Sequence, residues 1–265
     1  MNVYSADFSG ARNPSRGIYY AEGLLEGGSL IINQVVHCDD RLDLLTAIHF
    51  SKAPWGLDFP FSISVEAFKL LKINAWNELL VKAEKSSRID FDLWIAGSGI
   101  LSCESKCRKH SSCCRAVDAS INSFSPLKRT NPNMRMMTYA GLKLLSYLRR
   151  LGNAVYPFDY YNGEVARLYE VYPSNAWKQL GFKRNTDLSL FAERFTNKYD
   201  FKVELKSSLR NVENLDAADA VAACVTMAYA LTQYRLENDW DVGHDWISDV
   251  EWKHRLKEGL IVKVV

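Results

Sequence analysis

The chain has no excess of charge of either sign, and it has no long hydrophobic run. Its 33 lysine and arginine residues nearly balance 31 aspartate and glutamate residues, for a formal net charge of +2. That balance neither requires nor excludes a nucleic-acid partner, because a binding groove depends on local charge. The first residues lead into a strand pattern rather than a leader, and no segment resembles a membrane span of about 20 apolar residues. We therefore expect a cytoplasmic protein that does not bind membranes.

Several catalytic templates are also missing. The sequence contains no Gly-x-Ser-x-Gly elbow, Walker loop, Gly-x-Gly-x-x-Gly turn or His-Glu-x-x-His pair. These absences argue against an α/β-hydrolase, a P-loop enzyme, a dinucleotide-binding enzyme and a zinc protease of that type. Repeats, linkers and low-complexity tracts are missing as well. A chain of 265 residues with this ordinary composition is expected to form one α/β domain, 1–265.

The hydrophobic pattern predicts an α/β fold that begins with three strands, at 2–8, 17–25 and 30–37. A capped helix follows and leads to a fourth strand at 55–58. The region around 65–135, helical at first and then polar, is expected to be an insertion. The order of strands and helices along the whole chain predicts a mixed sheet covered by helices.

Four acidic residues stand at strand ends or inside apolar elements. Asp7 precedes a small-residue turn, Asp58 precedes the stop of its strand, Glu170 lies in a strand, and Asp219 lies in an alanine-rich helix. A carboxylate in such surroundings is costly unless it is paired, solvated or metal-bound. Phosphodiester hydrolysis by two metal ions needs hard oxygen ligands from several elements. We therefore predict that all four are catalytic ligands of Mg²⁺ or Mn²⁺, with Asp216 as the cap of the Asp219 helix.

Six short segments, spread over nearly the whole chain, carry a resemblance to a known family. They are Asp7-Phe8-Ser9-Gly10-Ala11, Gly56-Leu57-Asp58-Phe59-Pro60-Phe61-Ser62, Arg115-Ala116-Val117-Asp118, Glu170-Val171-Tyr172-Pro173-Ser174, Asp219-Ala220-Val221-Ala222-Ala223 and Glu258-Gly259-Leu260-Ile261. The set resembles domain-of-unknown-function family 429, described as predicted nucleases of ribonuclease H-like fold. The resemblance implies a five-stranded mixed sheet whose first three strands are antiparallel, and a metal site at the positions of the same four acids.

Basic residues concentrate in the polar segment 103–135, which shows no apolar periodicity. This segment is expected to bind substrate rather than to build the core. The predicted substrate is a nucleic acid, DNA or RNA, whose phosphates basic side chains hold. Five residues are assigned to substrate binding, namely Ser9, Arg12, Arg115, Lys128 and Arg129.

The same segment contains four of the six cysteines. Zinc bound through Cys103, Cys107, His110 and Cys113, with Cys114 as a fifth candidate, is one interpretation. Structural zinc sites usually show two separated close pairs of ligands, whereas these residues fall in one short run. Cytosolic proteins also keep their thiols reduced. We therefore expect reduced thiols here, rather than zinc or disulfides.

Two other functions stay open beside a metal-dependent nuclease. A nucleotide-binding phosphotransferase of the actin and sugar-kinase type also begins with an acid and a small-residue turn. Such proteins use two domains and further glycine-rich phosphate loops, which this sequence does not show. The second alternative is a non-catalytic nucleic-acid-binding scaffold whose acids bind no metal. Nuclease activity is the leading hypothesis, and the oligomeric state is left open.

Overall fold

A computed structural model describes residues 1–13, 17–101, 103–160, 163–209, 212–234, 236 and 246–265. They form an α/β fold in which helices flank a mixed eight-stranded sheet. The strands are β1 (Asn2–Asp7), β2 (Tyr19–Glu26), β3 (Ser29–His37), β4 (Pro54–Asp58), β5 (Ala154–Val155), β6 (Arg167–Val171), β7 (Lys202–Leu205) and β8 (Ile261–Val262). The helices are α1 (Arg41–Ser51), α2 (Val65–Leu70), α3 (Trp76–Lys85), α4 (Arg88–Gly97), α5 (Ala116–Ser120), α6 (Met134–Arg150), α7 (Pro173–Gln179), α8 (Leu188–Tyr199), α9 (Leu215–Gln233) and α10 (Asp249–Glu258).

The sheet runs in the order β5-β6-β4-β1-β2-β3-β7, and β8 also pairs with β6. Strands β1, β2 and β3 form the predicted antiparallel meander. Strand β4 is parallel to β1, and β6 is parallel to β4. The sheet has three strands more than the expected five, namely the short strands β5, β7 and β8. The parallel arrangement brings the carboxyl ends of β1, β4 and β6 to one edge, where ligands bind in open α/β sheets.

The pattern over 65–85 predicts one helix, but the structure divides it into α2 and α3. The Ser64 side chain caps α2. Lys72 adopts a left-handed conformation with φ of 57°, which ends that helix and redirects the chain. Trp76 and Leu79 of α3 are buried, so the predicted apolar face exists on a shorter helix.

Apolar residues are buried on both faces of the sheet. One core packs α7, α8 and α9 against residues such as Val3 and Tyr169. The other packs α1, α3, α4 and α6 against residues such as Ala6 and Trp55. Because side chains alternate along a strand, β1 alone supplies residues to both cores. The site-forming strands are therefore held rigidly from two sides.

Helix α9 is apolar enough, by length and composition, to cross a membrane, so the expectation that no segment resembles a membrane span is wrong for this helix. A window of 18 residues in Leu215–Gln233 has a mean hydropathy of 1.3, and 78% of that window is buried. The helix packs against β1, β2 and β3. This packing is that of a core helix in a compact protein.

The prediction that segment 103–135 lies outside the core is wrong. Cys107, Val117 and Leu127 are buried, although no periodic pattern marks them. Short α5 and a series of tight turns bury single apolar residues, which leaves no repeat in the sequence. The segment also supplies part of the cleft described below.

The prediction of reduced thiols is wrong for four cysteines. Cys103 is joined to Cys113, and Cys107 is joined to Cys114. The physical reason is proximity, because turns in this segment bring the paired α-carbons to 6.0 and 5.8 Å, within the usual range for a disulfide. The remaining two cysteines, Cys38 and Cys224, are free and buried.

Candidate active site

A cleft of about 520 Å³ opens at the carboxyl ends of β1, β4 and β6. Asp7, Asp58, Glu170 and Asp219 all line it, so the structure places the four predicted acids around one space. Ligand sites commonly have volumes of roughly 300–1,000 Å³. The cleft therefore has the size and the place in the fold of a ligand-binding site.

Asp7 and Asp58 form the centre of the cleft. They are the last residues of neighbouring parallel strands, and their α-carbons are register partners. The Asp7 carboxyl group lies close enough to that of Asp58 to influence its pKa. Two carboxyl groups this near can share a proton, since both are otherwise acceptors only. The strand ends thus force two acids into direct contact.

The turn after β1 is fixed from three directions. The Arg41 Nη2 donates to the carbonyl of Ser9 at 2.9 Å, and the Arg88 Nη1 donates to the carbonyl of Gly10 at 2.9 Å. A Cβ on Gly10 would overlap the backbone of Met137, so only glycine lets this turn lie against α6. This packing fixes the direction in which Asp7 leaves its strand.

Helix α9 contributes Asp219, which is 5% exposed. The Trp177 Nε1 donates to Asp219 Oδ1 at 2.7 Å and so holds the carboxylate in place. The predicted cap is wrong by two residues, since Asn214 caps α9 through the backbone N–H groups of Asp216 and Ala217. Asp216 instead lies in the first turn, where its carboxylate faces the cleft.

Arg184 lies among these acids and was not predicted. Its Nη2 is 2.5 Å from Asp216 Oδ1 and 3.9 Å from Asp7 Oδ2, and its Nε contacts Asp219 Oδ2. The side chain is 39% exposed and enters the cleft from the connection between α7 and α8. A single arginine in a connection has no pattern that marks it, because its partners are distant in sequence. Arg184 supplies positive charge where the acids concentrate.

The electrostatics of the cleft favour uptake of a cation or of protons. Burial raises the pKa of Asp7 well above its ordinary value, and the charges of Asp58, Asp219 and Asp216 raise it further. Burial likewise raises the pKa of Asp58, with Asp219 as the next cause. Burial raises the pKa of Asp219 to about 6, although Arg184 acts in the opposite direction. One guanidinium does not neutralise so many buried carboxylates.

Glu170 lies at the cleft but is held by protein groups. Arg115 Nη1 and Nη2 donate to its two oxygens at 2.8 and 2.6 Å, and the Phe61 backbone N–H donates at 2.9 Å. Burial raises the pKa of Glu170, and Arg115 opposes that effect. A metal ion could use this carboxylate only if Arg115 gave up part of its hold. The metal role assigned to Glu170 therefore stays a prediction.

Arg115 does not fit its predicted role of binding phosphate. It is 1% exposed, and it also donates twice to Asp118 and once to the carbonyl of Glu258. Together with the two bonds to Glu170, these contacts use all five N–H donors of a guanidinium. The arginine therefore organises the wall of the cleft, and Asp118 joins the site as its second carboxylate partner.

The other two basic residues assigned in segment 103–135 do not line the cleft. Lys128 is 2% exposed, and its Nζ donates to the carbonyls of Asn131 and Pro132. Arg129 is exposed and pairs with Asp92 at 3.3 Å. Lys128 therefore holds a loop together, and Arg129 forms an ion pair at the surface. The sequence alone does not distinguish these roles from phosphate binding.

The two residues assigned in the β1 turn have different surroundings. Ser9 lines the cleft, and its Oγ accepts from the Ala11 backbone N–H at 3.2 Å. Arg12 is exposed and lines a neighbouring groove with Arg41 and Tyr139. Ser9 therefore keeps a position from which it can contact a ligand, whereas Arg12 lies outside the cleft.

His110, considered above as a zinc ligand, lies between two carboxylates rather than beside the cysteines. Its Nε2 is 2.7 Å from Glu258 Oε1 and 3.1 Å from Glu66 Oε2. Glu258 also accepts from the backbone N–H groups of Val65 and Ala116, the first residues of α2 and α5. The ligand atoms of Glu66, His110 and Glu258 lie within 4.8 Å of one another, so this group could hold a metal ion apart from the cleft.

No protein family, curated protein or solved structure matches the chain. The resemblance to family 429 therefore stays a prediction. The function proposed below depends on the geometry and charge of the cleft.

Proposed function

We propose that the chain is a divalent-metal-dependent nuclease with a ribonuclease H-like fold. The observation that carries the proposal is the contact of Asp7 with Asp58 at the ends of two parallel strands, close to Asp219. The central strands β3-β2-β1-β4-β6, of which the first three are antiparallel, support the fold that the resemblance to family 429 implies.

The donor set of the cleft fits Mg²⁺ or Mn²⁺. Carboxylate oxygens are the hard ligands that these cations prefer. Burial raises the pKa values of Asp7, Asp58 and Asp219, and neighbouring carboxylates raise them further, so a bound cation would stabilise the ionised forms. These three residues would hold the metal, and Glu170 would join them on release by Arg115. A divalent cation bound there supplies Lewis-acid activation of a phosphoryl oxygen.

The remaining residues of the cleft orient the acids and the substrate. Trp177 fixes one oxygen of Asp219 and leaves the other toward Arg184. With a cation held by these acids, Arg184 would be available to bind a substrate phosphate, for which a guanidinium is well suited. We propose a nucleic acid as the substrate and the cytoplasm as the location, in line with the resemblance and with the compact fold around a buried α9.

Cleavage assays with single- and double-stranded DNA, RNA and hybrids, in Mg²⁺, Mn²⁺ or chelator, test the proposal. We expect metal-dependent cleavage that Asp58→Asn abolishes. Asp39→Asn is a matched control, since that side chain is 92% exposed and outside the cleft. Phosphoryl transfer from a nucleotide without nucleic-acid cleavage would instead support the phosphotransferase. Calorimetric titration without metal binding would support the non-catalytic scaffold.

A further inference from the structure

Four cysteines of the segment 103–114 form two neighbouring pairs of sulfurs, and none of the four lines the acidic cleft. The structure joins Cys103 to Cys113 and Cys107 to Cys114. The two pairs also contact each other, since the sulfurs of Cys103 and Cys114 are 3.7 Å apart. This contact places the sulfurs of Cys103, Cys113 and Cys114 in one group, to which Cys107 is linked through Cys114.

The distance between the pairs matches a tetrahedral metal site. Zinc binds thiolate sulfur at about 2.3 Å, so two sulfurs of a tetrahedral site lie about 3.8 Å apart. The sulfurs of Cys103, Cys113 and Cys114 all lie within 4.8 Å of one another. Cys113 and Cys114 are successive residues, and each meets one member of the pair Cys103 and Cys107. Three sulfurs are therefore close enough to share one ion, and Cys107, paired with Cys114, is the fourth candidate ligand.

The backbone holds this arrangement independently of the sulfurs. The Cys107 N–H donates to the carbonyl of Ser123 at 2.8 Å, beside an antiparallel bridge that joins Lys106 to Phe124. Ser111 and Cys114 exchange two backbone hydrogen bonds, of 3.1 and 3.2 Å, which close a tight turn. These bonds do not involve sulfur, so reduction of the disulfides does not remove them.

The surroundings suit a buried tetrathiolate centre. Cys107, Cys113 and Cys114 are at most 3% exposed. A zinc ion with four thiolates has a net charge of −2, and the sequence places Lys106 and Arg108 on either side of Cys107. The Ser111 Oγ lies 3.6 Å from Cys113 Sγ, where its hydroxyl can donate to a thiolate. His110 belongs to the carboxylate contact described above, so the ligands are sulfur alone.

We propose that the reduced chain binds one Zn²⁺ through Cys103, Cys107, Cys113 and Cys114, as a structural site that nuclease activity does not require. Two molecules of a dithiol reductant each transfer two electrons and two protons to one disulfide and become cyclic disulfides themselves. The four thiols formed then release four protons as Zn²⁺ binds. Oxidation by two equivalents of a peroxide reverses the change, with the return of two disulfides, the release of Zn²⁺ and the formation of water.

Metal analysis of the full chain, prepared under dithiol reductant with added Zn²⁺ and then desalted, tests the proposal. We expect one zinc per chain, retained in Asp58→Asn, in which the acidic cleft is impaired. Substitution by Co²⁺ should give the thiolate-to-metal charge-transfer and visible bands of a tetrahedral sulfur site. Zinc content well below one per chain, or bound Co²⁺ without the thiolate bands, would overturn the proposal.

Cysteine variants test whether these four residues, rather than the other thiols of the chain, bind the zinc ion. Cys107→Ser should lower zinc affinity at least about a hundredfold, since even outer partners of a metal contribute 10- to 100-fold. Cys38→Ser, which alters a free and buried thiol elsewhere, should retain zinc. If Cys107→Ser does not fold, the Co²⁺ spectrum of the unmodified chain decides the question. Equal zinc affinity in the two variants would contradict the assignment.

Discussion

Asp7 and Asp58 lie opposite each other at the ends of parallel strands, so that each carboxyl group influences the pKa of the other. Burial raises the pKa of both, and each is influenced by nearby acids. Two acids in such a place share a proton unless a cation replaces it. The register of β1 and β4 thus places two acids side by side, which is the arrangement that the proposed metal site requires.

The substitution Asp7→Asn should remove metal binding while the fold is retained. The new amide can donate to the Asp58 carboxylate, so the contact between the strands survives without a shared proton. We expect metal-dependent activity to fall more than about a hundredfold, because even outer-shell changes cost 10- to 100-fold. Melting without metal should occur at the same temperature as for the unsubstituted chain or above it. A large drop in melting temperature would show that Asp7 is needed for the fold instead.

The stability of the metal-free protein should fall as the pH rises from about 4 to above 6. The folded-state pKa of Asp219 is about 6, above the unfolded value of about 3.9. The folded state therefore binds more protons in this range, and stability is lost as Asp219 ionises. This pKa difference corresponds to about 3 kcal/mol in the free energy of unfolding. Urea unfolding at several pH values, with chelator, measures it.

Two controls test the assignment of that pH dependence to Asp219. The same urea unfolding is measured with Mn²⁺ in place of chelator, and with the variant Asp219→Asn. Saturating Mn²⁺ should favour the ionised carboxylates, so stability should then rise with pH over the same range. The variant should lose the part of the decrease that Asp219 contributes, whereas Asp7 and Asp58, whose pKa values burial also raises, should keep theirs. A decrease of unchanged size in Asp219→Asn would assign the effect to other groups.

The sequence predicts the acids of the cleft better than its basic residues. Asp7 and Asp58 stand where strand patterns stop, and the carboxyl ends of parallel strands must meet at one edge of the sheet. Local pattern and topology therefore agree for these residues. Arg115 stands 55 residues before Glu170, and the bond between them depends on how α5 packs against β6. A contact between residues so far apart in the sequence leaves no signal in the local hydrophobic periodicity.

Local sequence patterns also predict only those parts of the fold that do not depend on tertiary contacts. The first three strands and α1 follow from alternation and from a cap at Asp40, and the structure has them. The predicted helix over 65–85 fails at Lys72, because its left-handed conformation depends on tertiary packing. Segment 103–135 is buried through single contacts rather than a periodic face. Arg184 was missed for a similar reason, since only the folded chain brings it to Asp216.

Replacing Arg184 should change stability and metal affinity in opposite directions. Arg184→Met removes the cation that offsets Asp7, Asp216 and Asp219, so the metal-free protein should be less stable. The more negative cleft should bind Mn²⁺ more tightly, by about tenfold or 1.4 kcal/mol. Calorimetric titration and thermal melting measure the two effects. Arg150→Met, which removes a surface partner of Glu84, should change neither.

Replacing Arg115 should destabilise the fold rather than weaken phosphate binding alone. Arg115→Ala leaves the buried carboxylates of Glu170 and Asp118 without their shared partner, which typically costs about 3–5 kcal/mol. Arg115→Lys should rescue little, because an ammonium group cannot make two bidentate contacts. Arg129→Ala is the matched control, since its exposed pair with Asp92 should contribute at most about 1 kcal/mol. Urea unfolding of the three variants distinguishes the two roles. Unchanged stability of Arg115→Ala, with weaker nucleic-acid binding and a smaller salt dependence, would restore the phosphate-binding role that the sequence predicts.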